Sequence, residues 1–267
     1  MMTYTSADFD RNQSADSTLL VRAGDHGSAV AIIDSEKRLQ FLMEYSTTAV
    51  PQKVADIMRL DFREVKIAVP NGRYAFVPAE VYDSSRLNAY QYYLPSDDLT
   101  ESVVADVPEL AIKLVHQTAH IGLEAWQARF SQARVYPAVE VLLGVLLDYG
   151  RKTEGLTIAV DKQSESTSIC IFDSGDFIYG NDFEIHHADD LNYYLLLLLQ
   201  RFAVDRQPAY YLSGQVEEGD DYHQRLLKYS NRVEFADPLD AAGITAAAGS
   251  VASRHRFLTL FGLYLCG

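Results

Sequence analysis

The strongest constraint on this chain is that it partly repeats itself. Displaced by 139 residues, LLVRAGDHGSAVAIIDSEKRL (Leu19 to Leu39) lies over IAVDKQSESTSICIFDSGDFI (Ile158 to Ile178) without a gap. Leu19, Val21, Val30, Ile32 and Ile33 then meet Ile158, Val160, Ile169, Ile171 and Phe172, and the Asp-Ser of one turn meets the Asp-Ser of the other. Self-similarity at a fixed spacing means that one supersecondary unit is used twice. Each copy alternates short β-prone runs with clusters of Gly, Asp, Ser and Lys, the pattern of a three-stranded meander.

The segments C-terminal to the two meanders are also parallel. A helix is expected at Pro51 to Phe62, opening on a proline suited to a first turn, and another at Ala188 to Val204. Next comes an apolar run of the kind found in buried parallel strands, Val65 to Gly72 in one half and Ala209 to Gln215 in the other. The order strand, strand, strand, helix, strand, helix, strand, used twice, predicts an α/β protein of two lobes, each a mixed sheet flanked by helices, with a cleft between them. The competing reading is two unrelated α+β domains with similar amphipathic meanders. The expected division is a flexible tail over 1–17, a first lobe over 18–135, and a linking helix with the second lobe over 136–267.

Composition narrows the function classes. Thirty-seven Asp and Glu against 23 Lys and Arg give a formal charge of -14, so nucleic acid and anionic lipid are repelled over most of the surface. The chain is 48% hydrophobic and 22% charged, values of an ordered globule. Cys170 and Cys266 form no CxxC and no metal knuckle, which suits a reducing compartment. The polar N-terminus has no apolar core, and the most apolar stretch, Leu191 to Val204, is interrupted by Asn192, Gln200 and Arg201 and too short to cross a bilayer. Cytoplasmic residence without membrane insertion is expected.

Three further segments carry a family resemblance. Ile67 to Pro95 runs from a strand into a Pro and a Gly, a second strand, a Pro, an acidic-Leu helix and a Tyr-x-x-Pro. Val135 to Gly150 reads as a helix linking two halves, and HRFLTLFGLYLCG, His255 to Gly267, as a closing helix packed on the second sheet. With the repeat, these resemble the actin-like ATPase superfamily, two ribonuclease-H-like lobes in one chain, and most closely its PilM and FtsA branch. The resemblance implies a small inserted subdomain over 73–119, where that branch carries partner-binding structure.

It also implies where nucleotide would sit. In the superfamily, two β-hairpins hold the phosphates, each beginning with an Asp after a strand, with small residues that let backbone amides approach and carboxylates that place a metal and its water. Carried over, the first Asp position is Arg22. In the second hairpin Asp161 stands in place, followed by Ser164, Ser166 and Thr167, but Lys162 and Gln163 occupy the glycine-rich stretch. The adenosine-contacting Gly pair becomes Gly214 and Gln215. An arginine can neutralise a phosphate but cannot organise a metal and its water for hydrolysis. The resemblance therefore implies a non-catalytic scaffold for a protein or extended peptide, with no catalytic residue and no required cofactor. The alternative is a switch that binds ATP and Mg2+ through Asp161, Ser164, Thr167 and Gly214. A sugar or metabolite kinase is the weakest reading, since it needs a catalytic Asp in the first half and none stands out after the Val65 to Pro70 strand.

Other constellations have plain readings. HHADD, His186 to Asp190, has metal-binding residue types, yet adjacent histidines on an extended segment point to opposite faces, and Asp189 or Asp190 is expected to cap the following helix. EEGDD, Glu217 to Asp221, lacks the alternating oxygen pattern of a calcium loop and reads as a solvated turn. His116 and His120 lie beside a strand-like run, not on an HExxH helix, and Ser213 belongs to no nucleophile elbow. LNYYLLLLLQRF reads as a buried helix, and the tyrosines of Tyr90 to Pro95 as a candidate protein interface.

Overall fold

The computed structural model describes residues 2–24, 27–92, 94, 102–118, 123–164, 166–202 and 207–267. They form two compact units. The first comprises Met1–Leu142, Ala242–Ala252 and Thr259–Gly267, and the second Leu143–Ala241 and Ser253–Leu258.

The first unit opens on β1 (Thr3–Thr5) and continues through the meander β2 (Thr18–Arg22), β3 (Gly27–Ile33) and β4 (Leu39–Ser46), helix α1 (Gln52–Ile57) and β5 (Glu64–Val69). The chain then builds a separate small sheet from β6 (Asn71–Pro78), α2 (Leu87–Gln91), β7 (Ser102–Val107) and β8 (Ile112–Thr118), the expected insertion. It returns through α3 (Glu124–Arg129) to β9 (Arg134–Pro137) and helix α4 (Ala138–Lys152), which passes into the second unit. The main sheet has the order β1-β4-β3-β2-β5-β9 and the inserted one β6-β8-β7. Alternate residues of the central strands, Leu19 and Val21 of β2, Val30 and Ile32 of β3, and Ile67 and Val69 of β5, join Val54 and Ile57 of α1 and Trp126 of α3 in one core, because alternate side chains of a strand share a face.

The second unit contains β10 (Leu156–Lys162), β11 (Ser166–Asp173), β12 (Asp176–Glu184), α5 (Ala188–Arg201), β13 (Ala209–Gly214), α6 (Asp221–Leu226) and β14 (Val233–Phe235). Two short helices come after β14, α7 (Pro238–Ala242) and α8 (Leu258–Gly262). Its sheet order is β12-β11-β10-β13-β14, which matches β4-β3-β2-β5-β9 strand for strand. In both sheets the last three of these strands are parallel and the first three antiparallel.

The repeat holds at the level of register. Thr18 pairs with Ile33 and Arg22 with Ala29, and after the same displacement Thr157 pairs with Phe172 and Asp161 with Ser168. A bulge lies between Ile32 and Ile33 in one sheet and between Ile171 and Phe172, their counterparts, in the other. The third strand alone slips. The turn after β11 is one residue shorter, so Glu44 of β4 corresponds to Asp182 and not to Phe183.

Expectations for the two ends of the chain are corrected. The segment 1–17 is not a loose tail: Thr3, Tyr4 and Thr5 pair with Met43, Leu42 and Phe41, the rings of Phe9 and Phe41 lie 6.2 Å apart, and Arg11–Asp16 forms a 3-10 turn. An edge strand needs only a β-prone backbone and an open partner, so polar composition conceals it. The closing segment does not pack wholly on the second sheet. Arg254–Phe257 stays with the second unit, whereas Thr259–Gly267 and Ala242–Ala252 complete the first. There Leu260, Phe261 and Leu263 are fully buried, Lys66 Nζ donates to the Cys266 carbonyl, and Arg134 Nη1 donates to the Gly267 carbonyl at 2.8 Å. Thr245 bridges to Arg38, with Leu39 N donating to its carbonyl at 2.8 Å. Hydrophobicity marks a segment for burial without naming the sheet that buries it. The helices are also shorter than expected, α1 ending at Ile57 and α5 at Arg201; Val204 lies outside the described residues.

The shared Asp-Ser turn has a structural use in the first unit. Asp34 Oδ1 accepts from the Glu36 and Arg38 amides at 2.9 and 2.8 Å, and Oδ2 from Arg38 Nε and Gln40 Nε2 at 2.8 and 2.7 Å. Burial pushes its pKa up, but these hydrogen bonds from Arg38, Gln40 and Glu36 outweigh it and hold the carboxyl below its ordinary value. Asp34→Ala is expected to destabilise the fold by about 1 kcal/mol at neutral pH. A depressed folded pKa gives stability that is present above the unfolded value, about 3.9, and fades as pH falls through the folded one. Urea melts of parent and variant should therefore differ at neutral pH and converge in strong acid.

Candidate functional site

The positions that the repeat brings into correspondence lie at the C-terminal ends of β2 and β10. Ladder pairing places a row of four residues across each sheet on one face. In the first unit the row is Glu44, Ala29, Arg22 and Ala68; in the second it is Asp182, Ser168, Asp161 and Ser213. Adjacent strands are about 4.8 Å apart, so the first and third members of a row sit about 10 Å apart at the backbone.

In the first unit the arginine spans that gap. Arg22 Nη2 approaches Glu44 Oε1 to 3.6 Å across the intervening Ala29, and both side chains are largely buried. Alanine at 29 and 68 leaves the width the guanidinium needs. This position therefore presents a neutralised ion pair in place of a lone carboxylate.

In the second unit the row holds two hydrogen-bonded pairs, Ser213 with Asp161 and Ser168 with Asp182. Ser213 Oγ donates to Asp161 Oδ1 at 2.6 Å, Gln163 Nε2 donates to Asp161 Oδ2 at 2.7 Å, and Ser168 Oγ donates to Asp182 Oδ1 at 2.5 Å. Asp161 is 4% exposed. Buried polar groups are held this way because leaving one unmade costs about 1–3 kcal/mol.

The remaining predicted residues fall elsewhere. Lys162 and Thr167 are ladder partners on the opposite face from Asp161. Lys162 Nζ donates to the Gln163 carbonyl and lies 5.4 Å from the Tyr222 ring centroid. Burial lowers the Lys162 pKa, with the Asp161 charge opposing. Thr167 is fully buried, and its Oγ1 has no hydrogen-bond partner among the described residues. Ser164 is exposed at the hairpin tip. Gly214 pairs with Lys162 at φ +82°. The structure thus bonds Asp161 to Ser213 and Gln163, sets Ser168 opposite it in the ladder, and separates it from Thr167. Antiparallel pairing of β10 with β11 sets Ser168 opposite Asp161, and Ser213 and Asp182 required the rest of the ladder.

The other motifs take structural roles. Asp190 reaches back from the first turn of α5 to accept from the His186 and His187 amides at 3.0 and 2.9 Å, and these bonds hold its pKa down. Asp189 instead pairs with Arg225 at 2.5 Å. Asp220 caps α6 by accepting from His223 N at 2.8 Å. His116 lies within β8 and is buried, while His120 lies outside the described residues, as do Tyr93 and Pro95 of the tyrosine cluster. The Leu-rich helix α5 buries Leu191, Leu195 and Leu198 but exposes Tyr193, Leu196 and Leu197, which corrects its reading as buried all round. No helix is long and apolar enough to cross a membrane, and no group of three or more His, Cys, Asp or Glu is placed to hold a metal, among the described residues. A cavity of about 480 Å³ between Phe62–Val65 and Arg129–Arg134 is lined by no residue of either row, and Arg129 in its wall is tied to the Met58 and Leu60 carbonyls.

Comparison with known proteins agrees with this architecture. A crystal structure from Bacteroides thetaiotaomicron, of a protein with an actin-like ATPase fold and unknown function, matches with TM-score 0.77 and 15% identity over 97% of this chain and 99% of that one. A PilM-PilN type IV pilus biogenesis complex matches with TM-score 0.65 and 14% identity over 93% and 97%. No curated protein matches the sequence. The fold is the two-lobed actin-like ATPase fold. The family model described as "Protein of unknown function (DUF3822)" matches residues 6–233, and the chain belongs to that family.

Proposed function

We propose that this protein is an actin-fold binding scaffold that does not turn over nucleotide and that takes a protein or peptide ligand in the cytoplasm. One observation carries this reading. Asp161, the carboxylate where the actin-like superfamily organises a metal, is already engaged by Ser213 and Gln163, and its counterpart Arg22 is paired with Glu44. In the actin-like superfamily a carboxylate from each of two hairpins places the metal and its water, and here one of those two positions is an arginine. These residues do not fit that group, so no hydrolytic step is assigned to them.

A protein ligand is supported by the likeness to PilM, whose solved form is a complex with PilN. It is also supported by the inserted sheet, which has its own small core of Val77, Leu94 and Val115 and exposes Val81, Tyr92 and Val103. The second reading, an ATP- and Mg2+-binding switch, is favoured only by Asp161 and Asp182 sharing a face.

A thermal melt with millimolar ATP and Mg2+ separates the two. A ligand at about a hundred times its Kd stabilises the native state by about 2.7 kcal/mol. No shift in Tm is expected. A shift that Asp161→Asn abolishes would replace the scaffold reading with the switch.

A further inference from the structure

The repeat leaves one strand position filled in the first unit and open in the second. In the first, β1 covers the outer edge of β4, where Ser6 N donates to the Gln40 carbonyl at 2.8 Å and Glu44 N donates to the Met2 carbonyl at 2.9 Å. The outward main-chain groups of β4 therefore belong to residues 40, 42 and 44. Their counterparts on β12, one residue closer in the repeat, are Ile178, Gly180 and Asp182. β12 is the terminal strand of its sheet, and among the described residues no strand pairs with its outer edge. An uncovered edge is a template for a further strand.

The surroundings specify what would fit. Phe9, just beyond β1, packs on Phe41; the counterpart of Phe41 is Tyr179, which is partly buried against Phe202 at 5.5 Å. Phe183 of β12 meets Tyr194 of α5 at 4.4 Å, and Leu197, one turn further on the same helix face, is 48% exposed beside exposed Tyr193. The side of the edge towards α5 is thus apolar. The strand itself carries Asp176, Asp182 and Glu184 and no Lys or Arg. A second copy of β12 paired antiparallel about Gly180 would set Glu184 opposite Asp176, a like-charge contact that destabilises pairing.

We propose that the outer edge of β12 receives an extended segment of a partner protein, added antiparallel, with apolar or aromatic residues towards α5 and lysine or arginine elsewhere. It is the strand position that the first unit fills with its own β1. The proposal rests on the scaffold reading and supplies its ligand class.

The probe is a labelled peptide of Met2–Asp10 carrying Asp8→Lys and Asp10→Lys, titrated by fluorescence anisotropy against the full chain. Saturable binding is expected, weakened at least tenfold by Gly180→Pro, which removes an outward N–H, and at least tenfold by Leu197→Asp. The unaltered acidic peptide should bind at least tenfold more weakly. N-methylation of the probe at Tyr4 and Ser6, whose counterparts on β1 face the sheet, should abolish binding and leaves the protein untouched should Gly180→Pro misfold. Absence of binding, or binding indifferent to Leu197→Asp and to N-methylation, overturns the proposal. Concentration-dependent dimers of the parent that Gly180→Pro dissolves overturn it in favour of a second copy. A nucleotide-induced melting shift would instead remove the scaffold reading while leaving the peptide titration to stand or fall alone.

Discussion

Replacing Gly214 by alanine is expected to destabilise the second unit by about 3 kcal/mol. Two costs add. At φ +82° an L-residue is strained, and a Cβ there would lie 2.0 Å from the Lys162 carbonyl oxygen, 2.7 Å from its carbon and 2.9 Å from its nitrogen. All three are main-chain atoms of the paired strand, so no side chain can swing aside. Gln215 N donates to the same oxygen at 2.5 Å, and Ser213, one residue earlier, holds Asp161. Family likeness alone would keep Gly214 for a nucleotide, and then its substitution would cost binding and little stability. Denaturant unfolding decides: a variant as stable as the parent would show that β10 and β13 diverge at this end and that the glycine is not a packing requirement.

Phe261→Ala is expected to cost about 3–5 kcal/mol, the range for emptying a buried phenylalanine site. Phe261 is fully buried between equally buried Leu260 and Leu263, in the segment that completes the first unit. Leu265, four residues on and 43% exposed, serves as the internal comparison, and Leu265→Ala should cost under about 1 kcal/mol. Had this stretch been a surface-lying amphipathic helix, the two losses would be similar and small. Equal melting temperatures for the two variants would contradict the burial.

The repeat was legible because two kinds of information coincide in it. Period-2 alternation decides which face of each strand is buried, and a register slip by one residue would turn every side chain over, so the Leu19 and Ile158 meanders carry their pairing in their own pattern. Even the bulge falls at equivalent residues. The same gapless comparison misled at one point. It laid Leu39 over Ile178, whereas the shorter turn after β11 sets Phe177 at the place of Leu39 and brings Asp182 level with Glu44, beside Ser168. A turn shorter by one residue is invisible to an ungapped comparison.

Local pattern by itself therefore determined the two mixed sheets, their strand order of use, and the presence of Arg22 opposite Asp161 in the repeat, and the family resemblance added the insertion. Only the tertiary structure decided that Thr3–Thr5 closes one sheet edge while β12 has no outer partner strand among the described residues, that Thr259–Gly267 belongs to the first unit, and that Ser213 and Gln163 occupy Asp161. The physical reason is common to all three. Alternation, turn chemistry and helix period are properties of neighbours along the chain, whereas an edge, a docking face and a hydrogen-bond partner depend on which distant surface is nearest after folding.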